Sequence, residues 1–429
     1  MRNLPRSTRS RVASRRSGSL MPALALALLA VLGGAALVID RLALDTAKSE
    51  LRIAAESAAL AAARELANDD RLRPDFDPAA LQMKSRFAAA RIAAQNIVAG
   101  EPVMLSTDVA SDVRFGRLIN DPVTGEPIFV EADDEEPNSV AVVARCTEAR
   151  QSAVSLPFRT FYAPSDADVV AVAEASLNFQ VTGLRSVDGS PIPTLPLAIL
   201  AQPSAKKDSP RKTSADSRNR PGEARVSNDS QQPTASSWMR DIEQRRGTDL
   251  FGYDVSTGEV TNEADGIPEI TLRTAAHSSN SKTNAFVVHL TGELSEDRLR
   301  RQISQGWSAD DLESLGGELL FDRGPLTMTG LRGVDGNVLA QSLRKVLGQS
   351  RVVFLYDQTE DDPRSHVVSL QVTKMVAGRV MSVREISEDE CEIVLQPAVL
   401  ATRSAVTADD GSDSGCEKNK YVANLRLTN

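Results

Sequence analysis

The chain is organised around residues 20–66, whose sequence is LMPALALALLAVLGGAALVIDRLALDTAKSELRIAAESAALAAAREL. Its first part, Leu20 to Ile39, contains no charged residue, and about 20 helical residues span about 30 Å, the thickness of a bilayer's hydrocarbon core. Six arginines and no acidic residue precede this part, whereas Asp40 and Asp45 follow it. The asymmetry predicts a membrane-spanning helix with its arginine side in the cytoplasm and the bulk of the protein outside.

A cleavable secretory signal peptide is the alternative interpretation of this apolar segment. Gly33-Gly34-Ala35 has the small residues of a cleavage site. The apolar core of a signal peptide is about 7–15 residues long, and here the apolar run continues past these residues to Ile39. This length favours a retained anchor. Ala30 and Gly34 form a small-xxx-small pair of the kind that permits close approach of another membrane helix.

The segment from Asp40 to Leu66 has neither proline nor glycine and consists mainly of strong helix formers. It therefore predicts that the membrane helix continues outward as an alanine-rich stalk. A face of this stalk is lined by small and apolar side chains, namely Leu44, Leu51, Ala55, Ala58 and Ala62. Such a face can pack closely on the protein's own domain or on a partner helix, and the sequence leaves both open.

Three features resemble the N-terminal module of the TadE/TadG-like Flp pilus-assembly proteins of bacteria. They are the start Arg15-Arg16-Ser17-Gly18, the apolar span that ends in Asp40, and Leu51 followed by the run AAESAALAAA at 54–63. In the family's run Asp-Ala stands in place of Glu56-Ser57. Pilin-like members carry a Glu five residues after the processing Gly, and counted from Gly18 that position is Ala23. The resemblance therefore favours a long TadG-like member over a processed, polymerising pseudopilin.

The resemblance implies a membrane-anchored structural or accessory component of a tight-adherence (Flp) pilus or a related envelope assembly. The protein is then expected in the bacterial cytoplasmic (inner) membrane, with the single span Leu20 to Ile39, a cytoplasmic N-terminus and other pilus or envelope proteins as partners. The alternative function is a membrane-tethered extracytoplasmic binding module for a small ligand or an envelope polymer.

Changes in composition divide the chain into five parts. We predict a basic cytoplasmic tail (1–19), the transmembrane helix (20–39), the stalk helix with a first extracytoplasmic body (40–200), a disordered linker (201–237) and a second body (238–429). The linker is rich in Lys, Arg, Ser, Asp, Gln and Pro and has almost no large apolar residue, so it cannot bury enough surface to become ordered.

Local patterns predict an α+β fold with mainly antiparallel sheet in both bodies. In the first body, Asp77-Pro78 opens a helix to Gln95, and three segments have strand character: 140–144, 154–158 and 169–181. In the second body, short helices begin near Ser295, Ser308 and Gly336. The strands predicted after them are 351–356, 367–373, 379–384 and 392–395.

The net charge of the chain bears on whether nucleic acid could be a partner. The chain has a formal charge of −9, and without the six N-terminal arginines 43 basic residues face 58 acidic ones, a charge of −15. An acidic exposed body argues against nucleic acid as a partner.

The sequence shows no catalytic, cofactor or metal site, so we predict a protein that is not an enzyme. No nucleophile elbow and no P-loop occurs. His277, His289 and His366 have no second His or Cys at ligand spacing, which argues against zinc. Residues 410–414 (DGSDS) match the Asp-x-Ser-x-Ser metal motif of von Willebrand A domains, but they lie in a polar stretch near the C-terminus, and we interpret them as a loop. The acidic run 131–136 (EADDEE) is likewise predicted to be a solvated loop.

The chain has three cysteines. In an oxidising exterior, Cys391 and Cys416 could pair and tie the C-terminal tail to a strand, leaving Cys146 as a buried thiol. Sequence alone does not establish this bond.

Overall fold

The computed structural model describes residues 21–108, 112–120, 127–131, 136–159, 165–202, 236–277, 283–290, 294–361, 365–408 and 418–428. The α-helices are α1 (Met21–Leu66), α2 (Pro78–Ala93), α3 (Glu296–Gln305) and α4 (Gly336–Arg344). Shorter helical turns lie at Asp69–Leu72, Glu148–Arg150, Met239–Glu243 and Asp310–Leu315.

The strands, in chain order, are β1 (Ile97–Val98), β2 (Glu101–Pro102), β3 (Val113–Asn120), β4 (Pro127–Glu131), β5 (Ser139–Cys146), β6 (Val154–Ser155), β7 (Asp166–Ala167), β8 (Val169–Asn178), β9 (Val181–Arg185), β10 (Thr194–Leu200), β11 (Gly252–Asp254), β12 (Glu259–Thr261), β13 (Ile270–Arg273), β14 (Ala285–His289), β15 (Glu318–Leu320), β16 (Leu326–Leu331), β17 (Ser350–Asp361), β18 (Val367–Ser387), β19 (Glu390–Pro397), β20 (Leu400–Ala401), β21 (Ala405–Thr407) and β22 (Val422–Leu427).

The first body consists of α1, α2 and a six-stranded sheet in the order β20-β22-β8-β5-β3-β4. The second half of α1 packs on β8 and β5, and α2 packs back along α1. Asp77 caps α2 as predicted, because its side chain accepts the amide of Ala79 and Pro78 occupies the first turn. Asp112 is fully buried in this body and is held by Arg145 and Arg150, which supply the charges that a buried carboxylate requires.

The second body is built around a seven-stranded sheet in the order β13-β19-β18-β16-β14-β10-β17. An additional pairing of β18 with β17 closes five of these strands into a ring. The helices α3 and α4 pack beside this ring, and α4 contacts β18 and β19. The pairings in both sheets are antiparallel except β10 with β17 and β20 with β22, so the predicted α+β class with mainly antiparallel sheet is confirmed.

Both sheets include strands from the other half of the chain. Strand β10 lies inside the second sheet, between β14 and β17, and β22 extends the first sheet beside β8. All seven residues of β10 are buried, as expected for a strand covered on both faces. The stretch 191–196 leads into β10 and so into the core of the second body. Within the predicted linker 201–237, residues 203–235 lie outside the described residues.

One long strand replaces two predicted strands in the second body. β18 runs through 21 residues where the sequence suggested strands at 367–373 and 379–384. Gly378 lies in its middle, opposite Pro397 of β19, and the Leu395 side chain packs over this glycine. A Cβ at position 378 would lie 2.6 Å from Leu395 Cδ2, so the glycine is required by close packing.

A buried ion pair joins the end of the stalk to the second body. Asp69, just beyond α1, accepts hydrogen bonds from the guanidinium of Arg379 and, at 2.6 Å, from the amide of Val399. The guanidinium of Arg379 also stacks over the ring of Tyr253, with 3.5 Å between its central carbon and the ring centroid. The stalk therefore meets the second body at a specific, charge-assisted contact.

Candidate functional site

The first half of α1 is a bare apolar helix. Within it, an 18-residue window has a mean hydropathy of 2.5 and no buried residue. Nine leucine, valine and isoleucine side chains from Leu24 to Ile39 are 46–70% exposed: Leu24, Leu26, Leu28, Leu29, Val31, Leu32, Leu37, Val38 and Ile39. Exposed apolar patches of this size mark membrane or protein interaction surfaces. By length and composition this helix can cross a membrane, as the sequence predicted.

Asp40 marks the point where the bare helix becomes a packed helix. Its side chain is only 4% exposed, and its Oδ1 accepts a hydrogen bond of 3.1 Å from the amide of Phe158. By accepting this hydrogen bond, the carboxylate of Asp40 holds the loop at Phe158, and with it the first body, against the end of the apolar segment. The sequence identified Asp40 only as the residue that closes the apolar span. Its hydrogen bond to Phe158 could not be predicted, because the two residues are 118 positions apart in the chain.

The alanine face of the stalk packs on the protein's own first body. The alanines at 54, 55, 58, 59, 62 and 63 are completely buried, and Leu51 and Leu66 are buried with them. Ser85 of α2 donates a 2.6 Å hydrogen bond to the carbonyl of Ala62, which shows how closely the two helices approach. Of the two alternatives left by the sequence, internal packing therefore accounts for this face.

A different face of the stalk is exposed and carries the features available to a partner. Leu42 is 61% exposed and Ile53 is 55% exposed. Two ion pairs between residues four apart lie along this side, Arg41 with Asp45 at 3.0 Å and Arg52 with Glu56 at 2.7 Å. Exposed pairs of this kind contribute about 0.3–0.5 kcal/mol each, so they mainly solubilise the stalk.

The structure brings two of the three histidines together. The rings of His277 and His366 lie 5.0 Å apart, edge to face, and His277 Nδ1 is 3.2 Å from a carboxylate oxygen of Asp389. His289 lies apart on β14. Among the described residues, no group of three or more His, Cys, Asp and Glu side chains is arranged to hold a metal. The motif at 410–414 and most of the acidic run 131–136 lie outside those residues.

The two described cysteines are buried free thiols. Burial raises the pKa of Cys391 to about 12 and also raises the pKa of Cys146, although the charge of Arg150 lowers the latter. Cys416 lies outside the described residues. The pairing of Cys391 with Cys416 that the sequence permits therefore stays a prediction.

A basic cleft of about 700 Å³ lies between the two bodies and was not foreseen from the sequence. Among its described lining residues, six side chains are cationic and two are anionic. The cations are Arg71, Arg117, Arg245, Lys418, Lys420 and Arg426, and the anions are Glu136 and Glu243. They come from segments that are far apart in the chain, so no local pattern could have shown the cleft.

The two carboxylates of the cleft already have cationic partners from its walls. Glu136 pairs with Arg71 at 2.7 Å, and Glu243 pairs with Lys420 at 3.2 Å. Glu243 also accepts a 2.6 Å hydrogen bond from the Tyr421 hydroxyl; burial and then this contact raise the pKa of Tyr421. Burial lowers the pKa of the Arg71 guanidinium, and the nearby charge of Glu136 opposes that effect.

Comparison with known proteins identifies one part of the chain. Residues 18–65 match the model of the family described as Putative Flp pilus-assembly TadE/G-like. No curated protein and no solved structure matches the chain. The matched residues cover the whole described length of the bare apolar helix and nearly all of the packed stalk.

Proposed function

We propose that the chain, with its TadE/G-like pilus-assembly segment at 18–65, is a structural or accessory component of a tight-adherence pilus or a related envelope assembly. The observation that carries this proposal is the coincidence of the family match with α1. This single helix combines an exposed apolar half with a half that is packed into the first body. Such a helix can hold two folded bodies at a membrane and present them to other proteins.

We further propose that the apolar half is a retained, single-pass anchor in the bacterial cytoplasmic membrane with the N-terminus inside. Two observations support this proposal: the arginine-rich start, and the uninterrupted course of α1 through Gly33 and Gly34. An alkaline phosphatase fused to the C-terminus should be active, and a fusion placed before Leu20 should be inactive. The intact mass of protein extracted from membranes should include residues 1–35, whereas a mass without them would show cleavage.

The role we propose is assembly, with no chemical step. Support comes from the family, whose members act as structural or accessory proteins, and from the packing of α1, which buries the alanines of the matched segment against the first body. Cross-linking in native membranes followed by identification of the partners tests the proposal. Recovery of pilus or secretion components is the expected result. Repeated recovery of the monomer alone would count against an assembly role.

A further inference from the structure

We propose that the basic cleft between the two bodies binds a small polyvalent oxyanion, a ligand with several phosphate or carboxylate groups. This inference goes beyond the assembly role. Cationic side chains outnumber anionic ones by four among the described lining residues, in a protein whose overall charge is −9. Concentrating positive charge in a concave site against the net charge of the molecule focuses anions there. A volume of about 700 Å³ is that of a small-molecule site.

One cation of the cleft is held in place by backbone carbonyls, which orient it without neutralising its charge. Arg245 donates to the carbonyls of Leu72 and Gly266, the latter at 3.3 Å. A guanidinium fixed in this way keeps its charge and its remaining donors for an oxyanion. Because its side chain is already ordered, less conformational entropy is lost when the ligand binds.

The cleft wall also contains a buried polar group with no protein partner. Ser176 on β8 is only 2% exposed, and its hydroxyl has no hydrogen-bond partner in the described part of the chain. It lies beside Arg426 of the neighbouring strand β22, with which it is in register. A buried hydroxyl without a partner is unfavourable, so a ligand oxygen that accepts its hydrogen would supply a missing interaction.

The distance between the cleft and the membrane indicates where the anion comes from. Arg71 and Leu72 of its wall follow the outer end of α1, and the packed stalk from Asp40 to Leu66 is about 40 Å long at about 1.5 Å per residue. If Asp40 lies at the membrane surface, the headgroups of the protein's own membrane do not reach the cleft. The ligand is then a soluble or polymer-borne oxyanion of the extracytoplasmic space, and this step alone rests on the proposed anchoring.

The test is a calorimetric titration of the full chain, in neutral detergent, with sodium tripolyphosphate at constant ionic strength. We expect saturable binding. Lys418→Glu reverses one exposed charge at the cleft and should weaken binding about tenfold or more. Lys48→Glu makes the same change on the stalk, outside the cleft, and should leave the affinity unchanged. Ser176→Ala should weaken binding about fivefold, as expected for one lost hydrogen bond, without lowering the melting temperature.

Two results would overturn the proposal: absence of saturable binding, or equal weakening by Lys418→Glu and Lys48→Glu, which would show unspecific attraction. A second arm compares the full chain in nanodiscs of phosphatidylcholine and of phosphatidylglycerol. Equal tripolyphosphate affinity supports a ligand from outside the host membrane, and competition by phosphatidylglycerol would contradict it. No partner protein takes part in either arm, so failure here leaves the assembly role standing, and failure of cross-linking leaves the cleft assignment standing.

Discussion

A single arginine in the middle of the apolar half of α1 should release the protein from the membrane. Val31 lies near the centre of the exposed segment and is 67% exposed, so Val31→Arg removes no packing within the protein. Ile53 lies further along the same helix and is 55% exposed on the stalk. Ile53→Arg is therefore a matched control, in which the same residue is introduced on the same helix outside the proposed membrane span.

The expected size of the effect follows from the exposed residues. Nine large apolar side chains, each contributing about 0.3–0.6 kcal/mol, give about 3–5 kcal/mol in favour of insertion. An arginine at the centre of a membrane helix costs about 2.5–3.5 kcal/mol, and the contribution of Val31 is lost as well. The change cancels most of the favourable total and shifts the insertion equilibrium by about two to three orders of magnitude.

Alkaline carbonate extraction measures the effect as the fraction of protein that stays with the membrane pellet. The wild type and Ile53→Arg should remain in the pellet, whereas a substantial fraction of Val31→Arg should appear in the supernatant. Purified Val31→Arg should keep the far-ultraviolet circular dichroism spectrum of the wild type, because no buried contact changes. Retention of Val31→Arg at the wild-type level, or equal release of both variants, would refute the assignment of residues 21–39 as the anchor.

Three further predictions concern packing and burial. Asp69→Ala should destabilise the protein by about 3 kcal/mol, because the guanidinium of Arg379, whose side chain is 8% exposed, loses its carboxylate; thermal unfolding measures this. Ala58→Leu should cost about 1–3 kcal/mol by overpacking a fully buried position, whereas Ala80→Leu at an exposed position of α2 should have little effect in the same assay. Cys391 should resist iodoacetamide at neutral pH in the native protein and react after denaturation in urea, since burial raises its pKa to about 12.

Each of these predictions has a clear contrary result. An unchanged unfolding temperature for Asp69→Ala would show that the stalk and the second body are not joined through this carboxylate. Equal stability of Ala58→Leu and Ala80→Leu would contradict the burial of the alanine face. Rapid alkylation of Cys391 in the folded protein would contradict its burial in the second body.

Features encoded by short-range patterns were predictable from the sequence. The apolar span and the alanine-rich stalk form one helix because helix-forming residues continue across Asp40 without a proline or glycine. The N-caps at Asp77 and Ser295 form as their sequences indicate, since each side chain accepts an amide from the first turn. The family resemblance of this local segment is confirmed by the comparison.

Features that depend on contacts between distant segments were not predictable. The residues of β10 indicate a buried strand, but nothing local shows that this strand pairs with β14 and β17 instead of with the first sheet. The return of β22 to the first sheet depends on the same kind of distant contact. The cationic residues of the basic cleft come from distant segments of both bodies. Its positive charge could therefore not be predicted from a sequence whose net charge is negative. Long-range pairing, not local propensity, decides these features.

The most direct test of the assembly role is a photoactivatable cross-linker placed at position 53 of the full chain in native membranes. Ile53 is exposed on a face of the stalk away from the buried alanines, so the probe replaces no core residue. Irradiation followed by mass-spectrometric identification should recover pilus or secretion components, and the unirradiated sample should recover none. If irradiation yields only the monomer across repeated preparations, the proposal that this chain is part of a pilus or envelope assembly is contradicted.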